Sequence, residues 1–445
     1  VGAMNIKTFP PQSKTYSAIR SFKNQFPFKK GDYLILFGEV FNRGYANGLI
    51  EEATKHQMQI IYSTVGRREK DLSLRALNTE ELSAAKGPLI NIPLEAGFDM
   101  EGSPSPTEQM KDIKLSEWPN AKIDFASVQE SILLGRKRFL SNVRKYIAEL
   151  EPLIKPGHNV YFAHLMAGGV PRAKIIMPLM NRTFKGIGDR FLESEVFWQS
   201  DLGKLCQLSF DEVTAETFKV LIDETTSIRD RVTKQGNRVC YSGFGYHGTE
   251  IFGLDPQGVA GYRWQTYSPY LQGWAKKRLE DYSVEYSKKG IHCCVYNCPE
   301  ILTNSSAIFQ GVEVCLYPFL FAIKAENPED QNVQKNVKAI MALLKPEATE
   351  SEILKLCTDY LYDSNVKKQC RFEDWPTHNT KEQLQIMLQT SEKLHELHVD
   401  PKNSITAPLS ELILKGCGKV MLEDVFDSAE PVRWINHDVL AKIRH

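Results

Sequence analysis

No excess of either charge sign marks this chain: 55 lysines and arginines meet 55 aspartates and glutamates in 445 residues. That balance argues against general affinity for nucleic acid, and leaves room for a local basic patch facing an acidic protein. Long apolar runs are missing as well. The longest, Val312 to Ala325, carries Glu313 and is too short to span a bilayer, so no membrane role is expected. Cysteine is sparse, with nine residues, and lacks the paired C-x2-C arms of a zinc site. In the cluster His292, Cys293, Cys294, Cys298, strand alternation sends adjacent side chains to opposite faces, so buried free thiols are expected rather than a metal. Such cysteine usage fits a reduced, cytoplasmic protein. No repeat, low-complexity tract or secretory leader is read, and Val1–Ala3 is expected to be a remnant ahead of Met4.

What is present is an alternation of short apolar runs and longer helical patterns, which predicts an α/β fold with a doubly wound parallel sheet. Gly31 to Leu36 reads as a strand, followed by a glycine-bearing turn and a helix. Gly38, Gly44 and Gly48 in that turn allow close approach of the backbone to a pyrophosphate, whose charge a helix N-terminus favours. Their spacing is not G-x-G-x-x-G. A second strand, Gln59 to Thr64, ends without an acid and is followed by Arg67 and Arg68. An acid there would accept from a ribose 2′-hydroxyl, whereas arginines meet a 2′-phosphate, so NADPH is expected, with NADH possible. Further strands are predicted at Pro88 to Ile92, Asn159 to Leu165, Arg238 to Ser242 and Gly290 to Tyr296. A long helix is predicted between Phe125 and Leu150, and another between Ala215 and Lys234.

The segment Thr266 to Tyr282, T-Y-S-P-Y-L-Q-G-W-A-K-K-R-L-E-D-Y, places tyrosines shortly before a lysine. A phenol is a poor acid at neutral pH, but a neighbouring ammonium favours the phenolate and can also hold a nicotinamide ribose. Ser268-Pro269 reads as N-cap and first helical residue, so the helix is predicted to begin there with Tyr267 just outside it. Tyr270, inside that helix, would point about 120° away from Lys276. Tyr267 is therefore the expected acid and Lys276 its partner.

The Tyr267/Lys276 spacing resembles the Y-x8-K arrangement of long enoyl-ACP and trans-2-enoyl-CoA reductases. The run Gly273 to Tyr282 is similar to the G-x-A-K-x-x-L-E segment of shorter enoyl-ACP reductases. With the order of elements from residue 31 to about 325, the chain resembles the divergent short-chain dehydrogenase/reductase superfamily, and within it the FabMG-type enoyl-ACP reductases. The resemblance implies that Ala167, Gly168 and Gly169 match part of an N-A-G corner at the cofactor. It also implies that Pro299 and Thr303 match a Pro-Gly corner and a nicotinamide-contacting threonine, with glutamate in place of glycine. The substrate-facing hydroxyl beside Tyr267 stays open between Tyr246 and Ser242.

These readings give a Rossmann-type NAD(P)-binding catalytic domain over 4–325 and a mainly helical C-terminal extension over 326–445. An insertion at about 170–213 lies on the substrate side, where Met177, Met180, Phe184, Phe191 and Phe197 either line an acyl tunnel or simply pack. The implied activity is NAD(P)H-dependent reduction of 2-enoyl thioesters in fatty-acid synthesis, with an acyl thioester substrate, acyl-carrier protein as a partner and a homo-oligomeric assembly. The alternatives are a carbonyl reductase or alcohol dehydrogenase using Ser242, and a catalytically silent NAD(P)-binding sensor.

Overall fold

The computed structural model describes residues 6–185, 192–308, 310–427 and 429–444. Eight strands form one parallel sheet: β1 (Ala18–Ile19), β2 (Tyr33–Phe37), β3 (Gln59–Thr64), β4 (Leu89–Pro93), β5 (Val160–His164), β6 (Val239–Phe244), β7 (Cys293–Asn297) and β8 (Val432–Ile435). Their order is β1-β8-β7-β6-β5-β2-β3-β4. Every residue of β2, β5 and β7 is buried, as parallel strands covered on both faces require.

Alternation along β2 feeds two cores. Ile35 and Phe37 pack on one face with Phe139, Val143 and Ile147 of helix α2 (Phe125–Leu150) and with Leu279 of α3 (Gly273–Lys288). Leu34 and Leu36 pack on the other face with Leu49 of α1 (Ala46–Lys55) and Cys417 of α4 (Thr406–Asp424). The doubly wound sheet expected from the sequence is thus the observed one. Outside it, Thr249–Leu254 and Ala260–Gln265, which lie between β6 and α3 in the chain path, form a three-stranded sheet with Lys7–Phe9 from the N-terminal end.

Two expectations change. The helix carrying Lys276 begins at Gly273 rather than at Pro269. Ser268 does not cap it; the Tyr270 N–H instead donates to the Pro376 carbonyl at 2.5 Å, which keeps residues 268–272 outside the helix. The segment 326–445 is mainly helical, but it is no appendage. Its strand β8 pairs with β7, in register Val295 to Val432, and with β1, while α4 crosses α1. That crossing is tight: a Cβ on Gly48 would stand 1.8 Å from the Leu414 carbonyl oxygen, and one on Gly418 would stand 2.2 Å from the Gly48 carbonyl carbon.

Candidate active site

Strand order reverses between β2 and β5, and a cleft opens at their C-terminal ends, where open α/β sheets place their ligands. Four strand ends supply its walls: Glu39 to Asn47 after β2, His164 to Ala167 around the end of β5, Phe244 to Tyr246 at the end of β6, and Glu300 to Ser305 after β7. Tyr270, Gln272 and Lys276 close it from the α3 side.

Each wall follows from local structure. Gly38 turns the chain at φ +119°, a conformation suited to glycine, and its N–H donates to the Ser63 hydroxyl at 2.9 Å. Gly44 faces open space and is followed by the N-terminus of α1, whose first turn carries no acid. The positive end of the helix dipole there suits a pyrophosphate. Lys276 is buried and donates to the Phe244 carbonyl at 2.8 Å. Burial lowers its amino pKa to about 8, leaving an ammonium placed to meet ribose hydroxyls. Glycine, a helix N-terminus and this ammonium together fit a dinucleotide.

Five residues expected at the site meet on this cleft: Gly44, Ala167, Tyr246, Lys276 and Thr303. Gly48 does not reach it, because it is spent on the α1–α4 crossing. Gly168 (φ +131°) exchanges hydrogen bonds with Thr214, and Gly169 packs on Ser209, where a Cβ would stand 2.6 Å from its carbonyl oxygen. The Pro299 carbonyl accepts from the Tyr45 hydroxyl. Ser242 is fully buried within the sheet and hydrogen-bonded to the Tyr161 hydroxyl at 2.7 Å, away from the cleft. The carbonyl-reductase alternative thereby loses its serine.

Tyr267 packs its ring on Tyr246, with centroids 4.3 Å apart, and donates its hydroxyl to the Cys298 carbonyl. The expected acid is therefore turned into the β7 loop, while Tyr246 and Tyr270 face the cleft. The 120° argument against Tyr270 fails because that residue lies outside the helix. Burial raises the phenol pKa of all three tyrosines.

Arg67 and Arg68 are engaged by carboxylates. Arg67 binds Glu39, and Arg68 binds Glu95 at 2.9 and 2.6 Å. Glu39 also accepts from the Thr64 hydroxyl at 2.9 Å and the Val65 N–H at 3.2 Å. An acid thus stands at the end of β3, supplied by the neighbouring strand's turn, where the sequence around Thr64 shows none. Its arginine partner holds the carboxyl below its usual range against the opposing effect of burial.

Sequence reasoning also passed over His164, on the cleft wall with its ring Nε2 2.8 Å from the Thr217 hydroxyl. Burial, aided by the Lys276 charge, lowers its pKa to about 3, so the ring is neutral. A histidine ending a strand at the switch point was the available signal. Of the residues expected to form an acyl tunnel, Met180 and Phe197 are fully buried in the core and Met177 is 42% exposed. Phe191 and the Phe184 side chain lie outside the described residues. The cysteines at 293, 294 and 298 are buried free thiols.

Residues 15–444 match the family model described as enoyl-acyl carrier protein reductase FabMG. Among solved structures, the chain is similar to the apo structure of FabMG, a novel type of enoyl-acyl carrier protein reductase. Identity is 44% and the TM-score 0.91, over 97% of this chain and 98% of that one. It is also similar to the NADH-bound structure of FabMG, at 38% identity and a TM-score of 0.72, again over 97% and 98% of the two chains. No curated protein sequence matches the chain.

Proposed function

The chain belongs to the FabMG family of enoyl-acyl carrier protein reductases, and from that premise we propose that it reduces 2-enoyl-acyl carrier protein with NADH, using Tyr246 and Lys276. The observation carrying the proposal is that these two residues meet in a cleft at the switch point of a doubly wound sheet.

Bound in the cleft, a reduced nicotinamide supplies the hydride for the β-carbon of the substrate. The chain's own residues do the rest. Lys276, fixed on the Phe244 carbonyl, holds ribose hydroxyls. Tyr246 donates to the thioester oxygen, where negative charge develops as the double bond is reduced, and so stabilises the enolate. Tyr267 buttresses the Tyr246 ring, and Tyr270 narrows the substrate side. Glu39 accepts from the adenosine 2′-hydroxyl and repels a 2′-phosphate. Its grip on Arg67 removes the cation that NADPH would need, which favours NADH. This agrees with the NADH held by the FabMG relative.

A panel of 2-enoyl thioesters, on acyl-carrier protein and on coenzyme A, and of ketones, each with NADH and NADPH, tests the proposal. Consumption of NADH with the enoyl-acyl carrier protein above all other combinations is the expected result. Ketone reduction, or cofactor binding without turnover, contradicts it.

A further inference from the structure

Glu300 stands where the short-chain superfamily's Pro-Gly corner would have glycine. It is 3% exposed, lines the cleft, and carries a carboxyl group beside the Tyr246 hydroxyl. Its Oε1 lies 2.9 Å from the Tyr246 oxygen, and its Oε2 accepts from the Ser268 N–H at 3.3 Å. The Tyr246 oxygen also lies 3.0 Å from the Ser268 carbonyl. One phenol hydrogen cannot serve both the carboxyl group and the carbonyl. The conflict resolves when Glu300 is protonated: Oε1–H donates to Tyr246, Tyr246 donates to the Ser268 carbonyl, and the Ser268 N–H donates to Oε2. Each donor then has one acceptor.

Resting on the enoyl-reductase reading of this cleft, we propose that Glu300 is the positioning residue for Tyr246 and the reservoir that restores its proton in each turnover. As the Tyr246 O–H bond breaks and its proton moves from the enolate oxygen it stabilised to the α-carbon, the new C–H bond forms and the Glu300 O–H bond breaks. Its proton passes to the phenol oxygen, and its electron pair stays on the carboxylate. Solvent reprotonates Glu300 after product leaves. No oxidant or further reductant is needed beyond the cofactor of the reaction itself.

The surroundings suit the protonated form. The titratable groups acting on Glu300 or acted on by it are Tyr45, Tyr246, Tyr267, Glu313, Cys315 and Tyr360, with no cation among them. Burial raises the Glu300 pKa to about 7, against the lowering effect of the hydrogen bonds with Tyr246 and Ser268 and with a smaller push upward from the Glu313 charge. The carboxyl therefore changes state near neutral pH, as a proton relay requires. The cleft lining holds two cations among the described residues, Arg43 in the turn after β2 and Lys276, which is held on the Phe244 carbonyl.

Glu300→Gln tests this, because an amide can donate to Tyr246 and accept from Ser268 but has no proton to release. The full chain is assayed with enoyl-acyl carrier protein and NADH across pH 5.5 to 9, taking roughly one unit either side of the buried carboxyl and lysine. The expected result is a fall in kcat on the order of 10²-fold with an unchanged NADH dissociation constant. Wild-type kcat declines as pH rises through about 7, and the variant lacks that limb. Unchanged kcat and profile in the variant overturn the inference. So does a lower kcat with the limb still in place, which marks a purely structural role. Should the variant fail to fold, the pH profile of Lys276→Arg, whose cation does not titrate in this range, decides: a limb near 7 that persists there supports the reservoir and its absence refutes it. Wild-type protein inactive on every enoyl thioester would refute the functional reading instead, and that failure shows without any variant.

Discussion

Arg67 holds Glu39 through two hydrogen bonds, from Nη1 to Oε2 at 3.0 Å and from Nη2 to Oε1 at 2.9 Å. Planar, bidentate pairing of this kind fixes both partners. Under the proposed function, the arginine expected to meet a phosphate instead supports the acid that meets the ribose.

Cofactor choice follows from that pair. Glu39→Gln keeps the size of the side chain but removes the charge, freeing Arg67 to meet a 2′-phosphate. The kcat/KM ratio of NADH to NADPH is expected to fall by about tenfold or more, the scale of one charge-assisted contact. Steady-state kinetics with both cofactors measures it, and an unchanged ratio removes Glu39 from the ribose.

Helix crossing sets a second expectation. Gly48→Ala puts a methyl group 1.8 Å from the Leu414 carbonyl oxygen, and backbone cannot yield as a side chain can. Overpacking of this kind costs about 1–3 kcal/mol. Thermal melting should show a lower Tm, and an unaltered Tm would mean that α1 and α4 separate without cost.

Ser242 is expected to matter for stability and not for chemistry. Ser242→Ala leaves the Tyr161 hydroxyl without its 2.7 Å partner inside the sheet, a loss of about 1–3 kcal/mol. Enoyl reduction by the folded variant should stay within about twofold of wild type, since a residue off the cleft removes no transition-state contact. A collapse of turnover with normal stability would restore the serine to the site.

Burial of Lys276 makes a pH-dependent trade. Its folded pKa, about 8, lies below the ordinary lysine value of 10.5, so the folded state binds this proton less tightly than the unfolded one. The group therefore opposes folding most below about pH 8, and the opposition is relieved as pH rises from 8 towards 10.5. Lys276→Met should raise Tm at pH 7 while weakening NADH binding, and the gain in Tm should shrink as pH rises. Melting curves and cofactor titrations at pH 7 and 9.5, either side of the lysine's folded pKa, check both halves. A lower Tm at pH 7 would show the ammonium to be stabilising.

The central strands were legible because parallel strands covered on both faces are continuous apolar runs. Gln59–Thr64 has the expected bounds, and Leu89–Pro93 lies one residue along from its expectation. The helix Phe125–Leu150 was legible through its apolar stripe. What the sequence hid is long-range. Ser268-Pro269 carries a local helix-start signal that loses to a backbone hydrogen bond from Tyr270 to Pro376, about a hundred residues away in the chain. β8 is four residues long, too short for a period-2 pattern to stand out. Glu39 lies in the turn after β2, and only the packing of β2 beside β3 brings it to Thr64, a contact no local pattern announces. The tyrosine expected to be the acid was chosen from a helix start that the fold does not use.

The measurement that tests the account most directly is turnover of enoyl-acyl carrier protein by Tyr246→Phe and Tyr267→Phe, with NADH affinity measured in parallel. Each variant loses only a hydroxyl. Because Tyr246 faces the cleft while Tyr267 donates to the Cys298 carbonyl, Tyr246→Phe is expected to lower kcat by a factor on the order of 10²–10⁴ with NADH still bound. Tyr267→Phe should chiefly lower Tm, with kcat within about tenfold of wild type. An inactive Tyr267→Phe beside a fully active Tyr246→Phe would contradict the account and return the acid to the Y-x8-K position.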